Sequence, residues 1–246
     1  MSIVRYTRTT STSDKAKLLA NRGSAEWTVV VAKVQTEGRG HAGKSWSSPK
    51  GGLWFSVVLR PKIPVSRISL LQFLASNAVR RALIEETGLR AKTKWPNDLV
   101  LERGKLAGVL LESKVMGESV SFVVVGIGLN VNQGTSELPP GATSVYTISR
   151  HKHSLEGLMN RILENMKSDY DELDSPAKLL KEWWTGCIHR SKQVEVQTGS
   201  RIVKGVNTGV DLDGSLIIQT EKEAERVIEG TLRVVKNPRQ GIKLQN

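Results

Sequence analysis

Four stretches of the chain carry residue types whose spacing suits chemistry. The first is EGRGHAGKSWSSPKGG, Glu37 to Gly52. Glycines at 38, 40 and 43 permit tight turns and expose backbone N–H groups, and Arg39, His41 and Lys44 put cationic donors in the same loop. Such a loop folds over an anion such as a phosphate, or else is a solvated basic loop. It is not a P-loop, because no Gly-Lys-Ser/Thr ends it and opens a helix. The second is KWPNDLV, Lys94 to Val100. Pro96 biases Trp95 to an extended conformation, and Asn97-Asp98 favours a turn, so Lys94 precedes a stiff corner. The third is GKLAGVLLES, Gly104 to Ser113, where Gly108 inside an apolar run suggests close approach by a ligand or another backbone. The fourth is VVVGIGLNVN, Val123 to Asn132. There Asn130 and Asn132 sit two apart, on one face if the strand continues, and an amide that donates and accepts suits a nucleobase. A β-turn with an exposed lysine and a buried strand ending in a polar turn are the plain alternatives for the second and fourth.

Regular elements must hold these stretches. Ser13-Asp14 is expected to cap a short helix through Ala16, Leu18 and Leu19, ending near Gly23. Trp27 to Val34 and Leu53 to Leu59 read as buried strands on either side of the glycine loop. Leu70 to Glu86 carries a helical face and ends at Gly88 as a C-cap. Short strands follow at 92–95 and 99–102, then paired strands at 106–114 and 121–129 across a turn at Met116-Gly117. Leu155, Leu158, Met159, Ile162, Leu163, Met166 and Tyr170 mark the clearest amphipathic helix. Another opens at Ser175-Pro176 and ends with Trp183 and Trp184. From Val194 short strands alternate with turns such as Asp213-Gly214, a hairpin signal, so a small all-β module closes the chain. The expected fold is α+β: a mixed-sheet domain packed with helices over residues 1–190, and a small barrel over residues 191–246.

Composition narrows the function. The 246 residues are 39% hydrophobic and 24% charged, with a net charge of +12. That is ordinary globular usage. Nothing approaches the run of about 20 apolar residues that a membrane span needs, and the first residues lack the apolar core of a signal peptide. A single cysteine, Cys187, excludes an internal disulfide or a zinc cluster, and its expected role is a buried structural thiol. A cytoplasmic protein is expected. Residues 1–62 hold 11 basic and 3 acidic side chains, which is two-thirds of the positive excess. Such a field attracts nucleotide phosphates, nucleic acid or an acidic protein.

Taken in order, the four stretches resemble the biotin–protein ligases. That family's glycine loop GRGRxGRxW stands here as GRGHAGKSW; KWPND and GIGLNVN are intact, and KLAGxLxE stands as KLAGVLLE. An early Ser-Thr-Asn element appears as Ser11-Thr12-Ser13, and Gln35 sits where the family has a glutamine before its loop. The match runs over about residues 9–132, and GVDLDGSL, Gly209 to Leu216, resembles a hairpin of the family's SH3-like C-terminal barrel.

The resemblance implies a two-step reaction. Biotin carboxylate attacks the α-phosphate of ATP, releasing pyrophosphate, and a lysine of a biotin carboxyl carrier protein domain then takes the biotinyl group from AMP. It implies Arg39 and Lys94 as catalytic cations. It implies Ser11, Thr12, Gln35, Gly38, Arg39, Lys94 and Gly108 as biotin contacts, and Arg39, Gly40, His41, Lys44, Trp46, Asn97, Lys105 and Asn130 as ATP or adenylate contacts. Mg2+ accompanies the nucleotide, with no protein ligands assigned. An acidic acceptor domain is the expected partner, together with a homodimer formed through strands such as 121–131. Because the match begins so early, the expectation is a monofunctional type with no DNA-binding domain before it and no specific DNA binding.

Two departures bear on this. The loop's second and third arginines are His41 and Lys44 here: lysine lacks bidentate geometry and histidine is not a permanent cation, so retention of the adenylate is open to change. Ser13 replaces the family asparagine and is left out of the expected site. A lipoate or octanoate transferase shares the catalytic fold and is the second reading, although KWPND and GIGLNVN favour biotin. A nucleic-acid-binding module rests on charge alone and lacks aromatic interleaving in its basic stretch.

Overall fold

Two sheets organise the computed structural model, which describes residues 1–102 and 104–235. The first is seven-stranded, in the order β1-β2-β3-β7-β6-β5-β4. Its strands are β1 (Ser2–Tyr6), β2 (Thr28–Ala32), β3 (Leu53–Leu59), β4 (Lys92–Lys94), β5 (Asp98–Leu101), β6 (Gly104–Met116) and β7 (Ser119–Leu129). β1 runs parallel to β2 and every other neighbouring pair is antiparallel, so the sheet is mixed.

Period-2 alternation assigns the faces. Along β3, Leu53, Phe55, Val57 and Leu59 face one core, and along β7 so do Val123, Val125, Ile127 and Leu129. Helix α2 (Leu70–Thr87) covers that face, with α4 (Leu155–Ser168) and α5 (Ala177–Thr185) packed on α2. α2 closes at Gly88 in the left-handed conformation, as its sequence predicts. The opposite face carries Val30, Val58, Phe122 and Val124 against α1 (Thr12–Asn21), through Ala16 and Ala20. Further along that face the residues shrink to Ser56, Gly126, Gly128 and Gly108, leaving room above the sheet.

Several expectations shift. Ser11, rather than Ser13, caps α1, its Oγ accepting from Asp14 N–H at 3.4 Å. β1 and the short helix α3 (Val145–Ser149) have no counterpart in the sequence reading. Pairing of two copies through residues 121–131 is overturned for the strand itself: β7 lies between β3 and β6, and both its edges are taken. The second sheet, order β11-β10-β9-β8-β12, is wholly antiparallel. It comprises β8 (Gln193–Thr198), β9 (Arg201–Val210), β10 (Leu216–Gln219), β11 (Ala224–Val227) and β12 (Thr231–Val234). A closed barrel was expected; among the described residues β11 and β12 remain unpaired with each other, so the sheet is open. Residues 236–246 of that expected module lie outside the described residues.

The two sheets meet at the KWPND corner. Trp95 is 2% exposed, and its Nε1–H donates to Gly214 O at 3.2 Å in the β9–β10 turn. Its backbone N–H donates to Nε2 of His189 at 2.9 Å. His189 is fully buried and 2.7 Å from the Asn207 amide on β9. Ser69 adds a hydroxyl hydrogen bond to Asp213 O.

Candidate active site

Local turns build two adjoining cavities above the small-residue face. The glycine loop folds back on itself: Trp46 N–H donates to Gly38 O at 2.8 Å and Gly40 N–H to Lys44 O at 2.6 Å. A Cβ on Gly38 would stand 2.4 Å from Trp46 O, so only glycine lets the two arms close. This hairpin lays the Trp46 indole flat on the sheet. Gly108 and Gly128 are cross-strand partners, and a Cβ on them would come within 2.9 Å and 2.7 Å of that ring.

The first cavity lies between α1, the glycine loop and the sheet. Ser11, Thr12, Gln35, Arg39, Gly40, Trp46, Asn97, Lys105 and Gly108 line it, as do Ser13, Leu110, Gly126 and Gly128. One end is a network of buried polar groups. Gln35 Oε1 accepts from Thr12 N–H at 2.7 Å and from Thr12 Oγ1 at 3.0 Å. Gln35 Nε2 donates to Ser48 Oγ at 2.8 Å. Ser56 Oγ lies 2.8 Å from Thr12 Oγ1 and 3.1 Å from Ser13 Oγ. The hydroxyls either donate or accept, so this end can match a ligand that does both.

The second cavity lies between the glycine loop, the KWPND corner and the second sheet. Its cationic lining is Lys44, Lys94 and Lys105, with His41, Gly40, Trp46, Asn97 and Asp98. The second sheet adds Thr198 and Gly199 from one turn and Glu229, Gly230 and Thr231 from another. Gly40, Trp46, Asn97 and Lys105 border both cavities. Lys105 Nζ pairs with Asp98 Oδ1 at 2.7 Å and lies 4.9 Å from the Trp46 ring centre.

Several of the expected residues lie apart from the cavity expected of them. Lys94 lines the second cavity and not the first, because β4 ends beside the second sheet. Gly38 lines neither cavity and serves the loop's closure. Asn130 also lines neither: β7 ends at Leu129, and the Asn130 amide donates to Thr143 O at 3.0 Å, pinning a loop. Asn132 exchanges hydrogen bonds with the His153 backbone. Arg39 borders the first cavity, but both terminal nitrogens turn to carboxylates, Asp14 at 2.7 Å and Glu112 at 3.0 Å. Ser13, set aside for departing from the motif, sits in the wall.

Sequence reasoning also missed Ser56, Gly126, Gly128 and the contribution of the second sheet. Ser56 had a signal, a lone hydroxyl inside the apolar strand LWFSVVL. The second-sheet residues had none, because only tertiary packing brings them there.

Among the described residues no group of three or more His, Cys, Asp or Glu side chains is placed to hold a metal. Of the carboxylates at the second cavity, Asp98 is engaged by Lys105. No helix among them is long and apolar enough to cross a membrane.

Comparison with known proteins agrees with this geometry. Residues 4–130 match the model of the biotin/lipoate A/B protein ligase family. A biotin–[acetyl-CoA-carboxylase] ligase of Paracoccus denitrificans is 32% identical over 222 residues, covering 86% of this chain and 92% of that protein. The bifunctional ligase/repressor BirA of Bacillus subtilis is 31% identical over 233 residues, 91% of this chain and 71% of that one. A solved biotin protein ligase from Aquifex aeolicus, in complex with biotin and ATP, superposes with a TM-score of 0.81 at 26% identity, covering 95% of this chain and 99% of that one.

Proposed function

Because the chain belongs to the biotin/lipoate A/B protein ligase family, we propose that it activates biotin with ATP and transfers it to one lysine of a biotin carboxyl carrier domain. The observation that carries this is the pair of cavities sharing a wall of Trp46 and Lys105. The first suits biotin. Its buried Thr12, Ser13 and Ser56 and half-buried Gln35 offer donors and acceptors to a cyclic urea, and the glycine floor admits a flat bicycle. The second suits ATP, since three cationic side chains face one space where a polyphosphate would concentrate negative charge. Residues 1–190 would thus form the catalytic domain and 191–246 a domain that completes the nucleotide cavity.

In the first step a carboxylate oxygen attacks the α-phosphorus, and the bond to the bridging oxygen of pyrophosphate breaks. Two anions must approach, so a cation at the junction offsets their repulsion and the charge that develops. Lys105 is the lysine that borders both cavities, and we assign it this role; Lys94, His41 and Lys44 would hold the phosphates. Trp46 would cover the mixed anhydride and exclude water. In the second step the neutral amine of the acceptor lysine attacks the acyl carbon, AMP leaves, and the amine loses its proton. Mg2+ would arrive on the nucleotide, held by phosphates and water, since such ions need few protein ligands and the described residues offer no dedicated cage.

Biotin-dependent exchange of pyrophosphate into ATP tests this. Lys105→Ala is expected to lower exchange by about 10²–10³-fold, as losing one such charge-stabilising donor does. Exchange with lipoate and none with biotin would overturn the reading in favour of a lipoate ligase. The reaction is placed in the cytoplasm on this reading, and the +12 charge is assigned to nucleotide and an acidic acceptor rather than to DNA. Acceptor KM is therefore expected to rise several-fold when salt increases from about 0.05 M to about 0.5 M; an unchanged KM would remove the electrostatic part. A homodimer would need an edge other than β7, and the outer side of β6 beyond Gly108 is one, since β5 pairs only as far as that residue.

A further inference from the structure

The edge strand β4 is stitched to the chain that leads into the second sheet, and the reaction above makes no use of the stitch. Thr93 N–H donates to Gly186 O at 3.0 Å and Ile188 N–H to Thr93 O at 2.9 Å, a parallel bridge centred on Cys187. A parallel ladder would continue with Trp95 N–H donating to Ile188 O. Here the next acceptor is a side chain instead, Nε2 of His189 at 2.9 Å. That ring is fully buried, with the Trp183 ring edge-on at 6.4 Å and the Asn207 amide of β9 2.7 Å from Nδ1. Asn207 Nδ2 also donates to His189 O at 3.2 Å. His189 therefore joins the second sheet to the backbone of the residue that follows Lys94.

We propose that His189 is a positioning residue for Lys94: its Nε2 fixes the Trp95 backbone and so aims the Lys94 ammonium into the second cavity. The inference rests on the reading of that cavity as the nucleotide site. Thr93 and Trp95 are buried, at 0% and 2% exposed, so Lys94 between them turns the other way, to the cavity it lines. The direction of a side chain follows its backbone. On one side of Lys94 the backbone is held by Gly186 and Ile188 through Thr93, and on the other by His189 through Trp95. A buried N–H left without an acceptor is costly, so the corner would shift to find one if the ring were removed. Only a neutral imidazole accepts at Nε2. Burial, followed by the charges of Lys94 and Lys192, pulls the His189 pKa down to about 4 and keeps the ring neutral. The cation that His189 aims thus helps to keep His189 an acceptor.

The test is biotin-dependent exchange of pyrophosphate into ATP by the full chain, with ATP varied. H189L leaves the Trp95 N–H without its acceptor and is expected to raise the KM for ATP about tenfold, the effect of one unsatisfied buried donor. H189N keeps an amide near Asn207 but falls short of the Trp95 N–H, and is expected to do the same. It carries the comparison should H189L not fold. H189Q brings an oxygen about as far as Nε2 and is expected to recover most of the loss. The rate at saturating ATP is expected to change less than KM, because a phosphate-holding lysine binds ground and transition states alike. Biotin binding, followed by calorimetry on the same variants, is expected to stay near that of the wild type, since neither His189 nor Lys94 lines the first cavity. In a K94A background H189N is expected to add nothing, because His189 acts through Lys94. A KM for ATP unmoved in both H189L and H189N would overturn the inference, and so would H189Q as impaired as H189N. An equal loss with and without Lys94, or a weakening of biotin that matches that of ATP, would make His189 a filler of the core and overturn it too. A wild-type chain with no biotin-dependent exchange overturns the nucleotide reading, and the positioning role with it.

Discussion

His189 shows how one buried side chain ties this molecule together. Trp95 N–H donates to its Nε2, which places the ring proton on Nδ1, 3.2 Å from Cys187 Sγ. Burial, with Lys94 and Lys192 nearby, pulls its pKa from 6.5 to about 4. Between those values the unfolded chain binds a proton that the folded chain refuses. Stability is therefore full above the unfolded pKa and is lost as pH falls through the window. Urea unfolding is expected to show a loss of about 2 kcal/mol between about pH 7 and pH 5 from this group, and His189→Gln to flatten that slope. An equal slope in the variant would place the acid sensitivity elsewhere. Burial also pushes the Cys187 thiol up to about 12, in keeping with the structural thiol expected of it. None of this was legible in the sequence, where His189 is simply one of four histidines.

Elements were more legible than their contents, for reasons that particular segments make plain. α4 announced itself because one stripe of a helix faces a core, and Leu158, Met159, Ile162, Leu163 and Met166 are all buried in it. The end of α2 announced itself through Gly88, which adopts φ +72°. A methyl group there would meet nothing within 4 Å, so Gly88→Ala isolates the backbone cost. It is expected to destabilise by about 1–2 kcal/mol, lowering Tm by about 2–4 °C per kcal/mol in a chain of this size; calorimetry checks it, and an unchanged Tm would mean the helix ends otherwise in solution. β1 escaped notice because an edge strand of five residues buries too little to impose alternation, and its parallel partner lies far along the chain. α1 was found with its start displaced, since Ser11 and Ser13 are equally good caps by type and only geometry selects Ser11.

At the scale of the whole molecule, the second sheet helps to build the second cavity, the one proposed for the nucleotide. Its turns wall that cavity, and its Gly214 O receives the Trp95 indole N–H. Gly214 sits at φ +83°, and a Cβ there would approach Ser69 to 2.9 Å. Gly214→Val adds backbone strain and a clash. It is expected to raise the KM for ATP about tenfold by displacing the corner that carries Lys94 and Asn97, while biotin binding shifts less, because of that corner only Asn97 reaches the first cavity. Equal weakening of both ligands would show instead that the two cavities move as one.

What the sequence by itself determined is local or short-range. Apolar periodicity and turn chemistry laid out the elements, and the order of the glycine loop, KWPND, KLAG and GIGLN pointed to the family, because those glycines and that proline answer backbone demands set within a few residues. The resemblance names Lys94 as a catalytic cation, yet β4 carries it toward the second sheet while β6 carries Lys105 to the wall shared by both cavities, and the proposed junction role goes to Lys105 on that ground. Tertiary structure also decided that Arg39 meets Asp14 and Glu112, which lie 25 and 73 residues away in the chain. Side-chain direction depends on sheet register and on which elements pack together, and no local pattern encodes either.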